Sequence, residues 1–520
     1  MKISFRSLAT VALLPLGFTT VYAGTDFRSL ESDVAELKAY EKRINQLETR
    51  IKDFENENQE AHHSFHQMEE NSKEALSVAY SSQAAAEEAK QEAEILYRSF
   101  EDKPWRSPAV TSGEGFEFHG SFRSSYGVNS HGGAEGPKAN AFKAPGAETK
   151  YRLGNEPETK TNLTFAYNFE NPEWKKEGIN VKTQVTMTID TESNAAFDYT
   201  GTKLSLADCF AEIDGVWADH QEAKFWAGQR LYKGHGVYIN NFTFLDGFGL
   251  GGGMYDLEAC DGKVGIAYIG TNDRAKTLQQ AGKISKNTLD MRYYDFEMPY
   301  GTGTLALSLS GIKGGVDQST GDTYKSAQGF GLSFIHLNRD FFSGSNQFVL
   351  QYGKGPSNNF KSVIQDPKFF QSNAWTFRAI EAFTLEPNEN FSIETNFVYE
   401  VKQSGLSNDN KQTWYSIGSR PIYHFNKFWG VALEGGIDHV RSGLSGVDSD
   451  GNTNTYQGTL YKLTLAPEVK PEVGFLVRPT LRAYVTYAWW TKQFESRIGG
   501  PAYTGKRHGL VAGVQAEARW

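Results

Sequence analysis

The chain has 520 residues, a formal net charge of −9 and a mean hydropathy of −0.52. That average excludes a helical membrane bundle, which needs apolar runs of about twenty residues. It leaves room for a transmembrane β-barrel, whose lumen and loops are polar. The acidic balance, with no basic cluster interleaved with aromatics, argues against a nucleic-acid partner.

Residues 1–23 carry the pattern of a secretory signal peptide: Lys2 and Arg6, a short apolar core from Leu8 to Phe18, and Val21-Tyr22-Ala23 as the cleavage site. The core is too short to span a bilayer as an anchor. Residues 24–100 change character. No Gly or Pro occurs between Thr25 and Lys103. Leu30, Val34, Leu37 and Ile44, then Leu47, Ile51, Phe54, Asn58, Ala61, Phe65 and Met68, continue to Leu96 in steps that alternate mostly between three and four. That is a heptad seam, and it predicts a coiled coil, hence an oligomer, on the order of 100 Å long. The short step from Ile44 to Leu47 reads as a stammer between two registers. His62, His63 and His66 fall on this helix at a spacing that could hold a metal, but a solvated helix face explains them better, so no metal is assigned. Residues 101–115 form a linker, opened by Pro104 and Pro108.

From Phe116 to Trp520 the period changes to two, the side-chain period of a strand. Phe116, Phe118, Gly120, Phe122, Ser124 and Tyr126 alternate with Glu117, His119, Ser121 and Arg123. Thr161, Leu163, Phe165, Tyr167 and Phe169 alternate with Lys160, Asn162, Thr164 and Asn168. Val181, Val185, Met187 and Ile189 alternate with Lys182, Gln184, Thr186 and Asp190. The same alternation recurs at Leu305–Leu309, Phe391–Val401, Tyr461–Leu465 and Leu481–Trp489. Turn signals intervene at Asn171-Pro172, Gly314-Gly315, Pro387-Asn388 and Asp450-Gly451. In the last stretch Leu510, Ala512, Val514, Ala516, Ala518 and Trp520 oppose Val511, Gly513, Gln515, Glu517 and Arg519. An apolar face toward lipid and a polar face toward a wet lumen fit this pattern. Strands in lipid need both edges paired, so the pattern demands a closed barrel. About 400 residues at 20–25 per strand with its connection give roughly 16–18 strands. Tyr487, Trp489 and Trp520 read as an aromatic belt. Cys209 and Cys260 are too few for a disulfide scaffold; in an oxidising periplasm they could form one bridge or stay unpaired.

Several segments resemble the maltoporin and sucrose-porin family: Phe116-Glu-Phe-His-Gly-Ser-Phe-Arg-Ser124, Lys150-Tyr-Arg-Leu-Gly-Asn-Glu-Pro-Glu-Thr159, Trp226-Ala-Gly-Gln-Arg230, Gly251-Gly-Gly-Met-Tyr-Asp256, Ser419-Arg-Pro-Ile-Tyr423, Val477-Arg-Pro479 and Gln515-Ala-Glu-Ala-Arg-Trp520. The coiled coil ahead of the barrel is closer to the sucrose porins. The resemblance implies a homotrimer in the Gram-negative outer membrane, surrounded by lipid. Each barrel would have about eighteen strands, a third loop folded into the pore, and oligosaccharides as solutes. It implies no enzyme and no cofactor. It further implies that Arg123 and Arg152 are retained basic positions of the sugar path. The family's other contacts fall on Lys160, Asn162, Asn241, Thr243 and Arg519, with small or polar residues at the constriction predicting a wider opening. Phe197 or Tyr199 could replace a tryptophan reached from a neighbouring subunit, and Phe242 and Phe244 could rebuild aromatic contacts. Two other functions are left open by the residues: a general diffusion porin, and an envelope spacer whose coiled coil crosses the periplasm.

Overall fold

The computed structural model describes residues 42–43, 52, 110–111, 115–131, 133, 141–191, 202–272, 285–316, 323–363, 371–405, 411–447 and 453–520. The signal peptide, the coiled coil apart from the helical Lys42, Arg43 and Lys52, most of the linker, Phe197, Tyr199 and the Asp450-Gly451 turn lie outside them. The chain divides into two compact units, Met1–Ser81 and Ser82–Trp520. The second contains the barrel.

Eighteen strands form the wall. The first nine are β1 (Phe116–Asn129), β2 (Thr159–Asn168), β3 (Asn180–Thr191), β4 (Thr202–Asp214), β5 (Lys224–Val237), β6 (Phe242–Ala259), β7 (Gly262–Asn272), β8 (Ser285–Met298) and β9 (Gly301–Lys313). The rest are β10 (Ala327–Asn338), β11 (Gly344–Lys354), β12 (Trp375–Asn388), β13 (Phe391–Gln403), β14 (Gln412–His424), β15 (Trp429–Val447), β16 (Thr453–Val469), β17 (Thr480–Trp490) and β18 (His508–Arg519). Each pairs antiparallel with the next, and β1 also pairs with β18. Within the expected linker, the β-branched pair Val110–Thr111 adds a two-residue strand against Glu117 and Phe118. Asn171-Pro172 caps a short helix, Pro172–Lys176, in the β2–β3 turn: the Asn171 side chain accepts from the Glu173 and Trp174 amides.

Alternation along each strand decides which side faces lipid. In β17 the odd residues Leu481, Val485, Tyr487 and Trp489 are exposed, while Thr480, Arg482, Tyr484 and Thr486 are buried. In β18 Leu510 and Val514 point out, and Gln515 and Glu517 point in. The expected faces of β1, β2 and β3 hold in the same way. Closure is completed past the last strand residue: the Gly120 amide donates to the Trp520 carbonyl at 3.0 Å, and the Trp520 amide to the Gly120 carbonyl at 2.9 Å. The Trp520 ring covers Gly120 on the outer wall, flanked by Phe118 and Phe122 at 6.1 and 6.3 Å.

The core sits inside the barrel. Residues 141–158, between β1 and β2, enter the lumen; so do the tip of the β5–β6 hairpin around residues 237–246 and residues 355–363 between β11 and β12. Their buried Tyr151, Leu153, Phe242, Phe244 and Phe360 meet wall residues Trp414, Val398 and Tyr484 in one cluster. From the opposite end the β16–β17 turn sends in Phe475. Tyr151 fits because Gly418 on β14 and Gly436 on β15 face each other: a Cβ at either would land inside its ring. Its hydroxyl reaches Ser416 at 2.9 Å and Asn396 at 3.1 Å. On the outer wall, an apolar recess of about 640 Å³ opens between β7 and β12, lined by Ile266, Leu305, Leu332 and Phe377; it lies on the lipid side, away from the lumen.

Candidate functional site

The β5–β6 hairpin leaves the wall where its register shifts, between Tyr232 and His235 and again at His235–Gly236. Such bulges bend a hairpin and raise its local twist, and here the bend carries the tip across the lumen. The Tyr238 and Ile239 amides both donate to Glu394 Oε1 on β13, at 3.1 and 3.0 Å. The Tyr238 hydroxyl donates to Glu517 on β18 at 3.1 Å and receives the Arg478 guanidinium. Arg152, Arg420 and Arg478 stand 4.5, 5.4 and 5.4 Å from the centre of its ring, and Phe475 meets it edge-on at 5.9 Å.

Residues 141–158 brace the tip. The Arg152 amide donates to the Ile239 carbonyl at 3.0 Å, and the Thr149 hydroxyl to the Asn240 and Asn241 carbonyls. The backbone of Leu153 and Gly154 is itself held by β15–β17: Glu434 takes the Leu153 amide, Lys462 and Thr464 take its carbonyl, and Thr486 takes that of Gly154. Residues 355–363 complete the assembly through the Asp246 amide to Phe360 at 3.1 Å and the Ser362 amide to Asp246 at 3.0 Å.

The charges around this constriction are paired. Arg123 faces Glu158 at 2.5 Å and Glu156 at 3.2 Å; Arg152 faces Glu156 at 3.1 Å and Glu517 at 2.7 Å. Glu517 also takes Arg478 and Arg482, at 2.8 and 2.7 Å. Arg482 and Lys470 share Glu468, and Arg420 and Lys462 share Glu434. Ions this dry persist because each is paired and hydrogen-bonded. In the inserted segments the balance differs by position. Burial pushes the Arg478 guanidinium down to about 10 despite Glu517. Burial also works against the charge of Arg152, but Glu156 and Glu517 more than offset it and raise its pKa. Burial would lift Glu148, yet Lys402, Arg378 and Lys361 hold its carboxyl well below the usual carboxylate range.

The sequence-predicted residues fall into two groups. Glu517, Arg123, Lys160 and Asp190 lie side by side on β18, β1, β2 and β3, and Arg519, Ser121 and Asn162 form the neighbouring row. Arg123, Lys160 and Asn162 are buried; Arg519 is half-buried. Asn162 accepts from the Thr188 hydroxyl at 2.8 Å. Asn241, Thr243, Phe242 and Phe244 belong to the hairpin tip and are buried within it. Phe242 meets Trp414 edge-on at 5.5 Å beneath Arg378, and Phe244 stacks on His235 at 6.0 Å. The inserted segment meets this part of the tip through the Thr149 hydroxyl, which donates to the Asn241 carbonyl at 3.4 Å. Tyr238, Arg420, Arg478 and Glu517 were not singled out as site residues, although Arg420, Arg478 and Glu517 stand within the quoted motifs. Cys209 and Cys260 are both exposed and unbridged.

A model of the LamB porin family matches residues 116–520. The chain belongs to the LamB porin family. It is therefore an outer-membrane channel, and the third loop on the side away from the short turns, the β5–β6 tip, lies in its lumen. Solved structures similar to this chain include OccD3 (OpdP) of Pseudomonas aeruginosa, 11% identical over 79% of this chain and 93% of that one, with a TM-score of 0.40. OccAB2 of Acinetobacter baumannii is 10% identical over 78% and 98%, at 0.41, and opdK of Pseudomonas aeruginosa 9% over 78% and 99%, at 0.39. Likenesses this loose carry no argument about solutes.

Proposed function

We propose that the porin is a carbohydrate-selective channel that lets oligosaccharides diffuse passively into the periplasm. It works as a homotrimer, with residues 24–100 forming a periplasmic coiled coil. The observation that supports this reading is the pairing of charge at the constriction, where every guanidinium around Tyr238 also faces a carboxylate. A pore built to select ions gains from a ring of one sign. Paired charges largely cancel at a distance but present donors and acceptors at close range, which suits a neutral, polyhydroxylated solute. Contacts of this kind are individually weak and repeated, so a sugar is held without being trapped.

Arg123, Arg152, Lys160, Asn162 and Arg519 form the polar wall of the path in this reading. Asn241 and Thr243 set its width, and Phe242 and Phe244 stiffen the tip. Phe197 or Tyr199 of a neighbouring subunit supplies an aromatic contact in this reading. The test is ion current through the porin in a planar bilayer, titrated with maltose, sucrose and β-glucosides. Saturable block by at least one sugar is expected. Uptake that falls only with solute size, with no block by any of them, overturns the reading in favour of a general diffusion porin.

A further inference from the structure

The lumen wall differs from one side to the other. Along β14–β17 and the turn after β16, Arg420, Glu434, Lys462, Glu468, Lys470 and Arg482 expose no more than 2% of their side chains. On the facing wall, Lys224 and Asp256, near the ends of β5 and β6 that adjoin the short turns, expose 36% and 21%, and Lys233, at the bend where the hairpin leaves the wall, exposes 28% and reaches back to Asp256. Short turns mark the periplasmic end of an outer-membrane barrel, so these groups lie on the solute's way out.

They surround an aromatic cluster that Gly265 on β7 makes possible. A Cβ at Gly265 would run into the Tyr232 hydroxyl and press on Tyr255 and Tyr294. Trp226 stacks on Tyr232 at 5.6 Å, and Tyr232 meets Tyr255 edge-on at 6.2 Å. The Tyr255 hydroxyl donates to Glu212, which also binds Arg230 at 2.9 Å. The Lys233 ammonium lies 4.8 Å from the centre of the Tyr255 ring and 4.0 Å from that of Tyr294; the Lys224 ammonium lies 5.7 Å from Tyr255. Both ammonium groups share one carboxylate, Asp256, at 3.3 and 3.5 Å. Two donors in the same cluster, Trp226 Nε1 and the Tyr232 hydroxyl, have no hydrogen-bond partner although their residues are 4% and 0% exposed.

This arrangement differs from the constriction in the respect that matters for a solute. There each cation is matched and dry; here two partly hydrated cations share one anion beside an aromatic ring. A surplus positive charge next to a ring is complementary to an anionic sugar: the carboxylate replaces water on the lysines while a C–H face lies against the ring. We infer that Tyr255, Lys224 and Lys233 form an exit station for acidic saccharides on the periplasmic half of the lumen. It rests on the carbohydrate reading above but concerns the sugar's charge, and it uses residues outside the polar wall assigned there.

The test compares trigalacturonate with maltotriose as blockers of the bilayer current, added from the periplasmic side. The wild-type porin is expected to bind trigalacturonate more tightly. The double variant Lys224→Gln, Lys233→Gln loses about tenfold in affinity for it, the worth of a charge-assisted hydrogen bond, and leaves maltotriose nearly unchanged. Tyr255→Ala weakens both by about three- to tenfold. Asp256→Asn, which removes the competing carboxylate, tightens trigalacturonate binding. A fraction of folded, heat-modifiable barrel recovered from membranes equal to wild type certifies each variant's fold. Trigalacturonate affinity unmoved in both the double variant and Asp256→Asn overturns the inference. Block of the wild type by maltotriose but not by trigalacturonate also overturns it and leaves the carbohydrate reading standing. Block by no saccharide of any kind removes that reading itself.

Discussion

Glu517 is the residue on which the constriction turns, because Arg152, Arg478 and Arg482 all meet it and the Tyr238 hydroxyl donates to it. Glu517→Gln keeps the shape but removes the charge that balances three dry guanidiniums. Breaking one partner of a buried pair costs about 3–5 kcal/mol. The expected result is a matching loss of stability in denaturant unfolding of the detergent-solubilised porin, together with noisier single-channel current as the tip loosens. An unchanged unfolding midpoint would mean that water already screens these groups. Glu148 gives a pH prediction. Its folded pKa is depressed by Lys402, Arg378 and Lys361, so its contribution is fully present above the unfolded value of about 4.3. It declines only as pH falls below that, toward the depressed folded value. Conductance is therefore expected to stay constant from pH 7 to 5 as far as this clamp decides it, and Lys402→Gln is expected to remove the clamp at every pH in that range.

At the scale of elements, the inserted segment 141–158 is held chiefly by backbone groups and by the Tyr151 slot. Gly418→Ala or Gly436→Ala puts a methyl where that ring sits. Overpacking of this kind costs about 1–3 kcal/mol, and here the ring can leave, so the segment is expected to be released and single-channel conductance to rise. The same variant built with Tyr151→Ala should restore stability; if Gly418→Ala alone leaves conductance at the wild-type value, the segment is not what narrows the bore. Strands β1–β3, β9, β13 and β16–β18 were legible in the sequence because a period of two marks every residue as inner or outer, and a slip of one would put Arg123 and Glu517 in lipid; β14 and β15, which carry this slot, were not read from their alternation. What fills the lumen was not legible. Tyr151, Leu153 and Phe475 follow no period, and their partners are far away in the chain: Tyr151 meets Ser416, and Leu153 meets Glu434 and Lys462. For the same reason Arg420, Arg478 and Glu517 could be quoted as parts of motifs without their roles being visible. Arg152 and Glu517 are 365 residues apart, and only closure of the barrel makes them neighbours.

At the scale of the whole molecule, closure is a property of residues 110–520, with Val110–Thr111 covering the edge of β1 at Glu117 and Phe118. β1 pairs with β18 from Ser121–Arg519 to Asn129–Val511, and the Gly120–Trp520 hydrogen bonds extend the seam by one pair. Because no edge is left for another segment to satisfy, deletion of residues 24–100 with residues 1–23 kept is expected to leave folding, membrane insertion and single-channel conductance unchanged. Trp520→Ala is expected to do the opposite. It uncovers Gly120 and removes the ring that Phe118 and Phe122 flank, at the place where the barrel must meet its own beginning. The measurement that separates them is the fraction of folded, heat-modifiable barrel recovered from membranes, followed by bilayer conductance of that fraction. If the deletion lowered per-channel conductance, residues 24–100 would have to shape the bore, which the self-contained seam argues against. If it left conductance intact but weakened the cell envelope, residues 24–100 would carry a spacing role beside transport, since the pore's own geometry makes no demand on them.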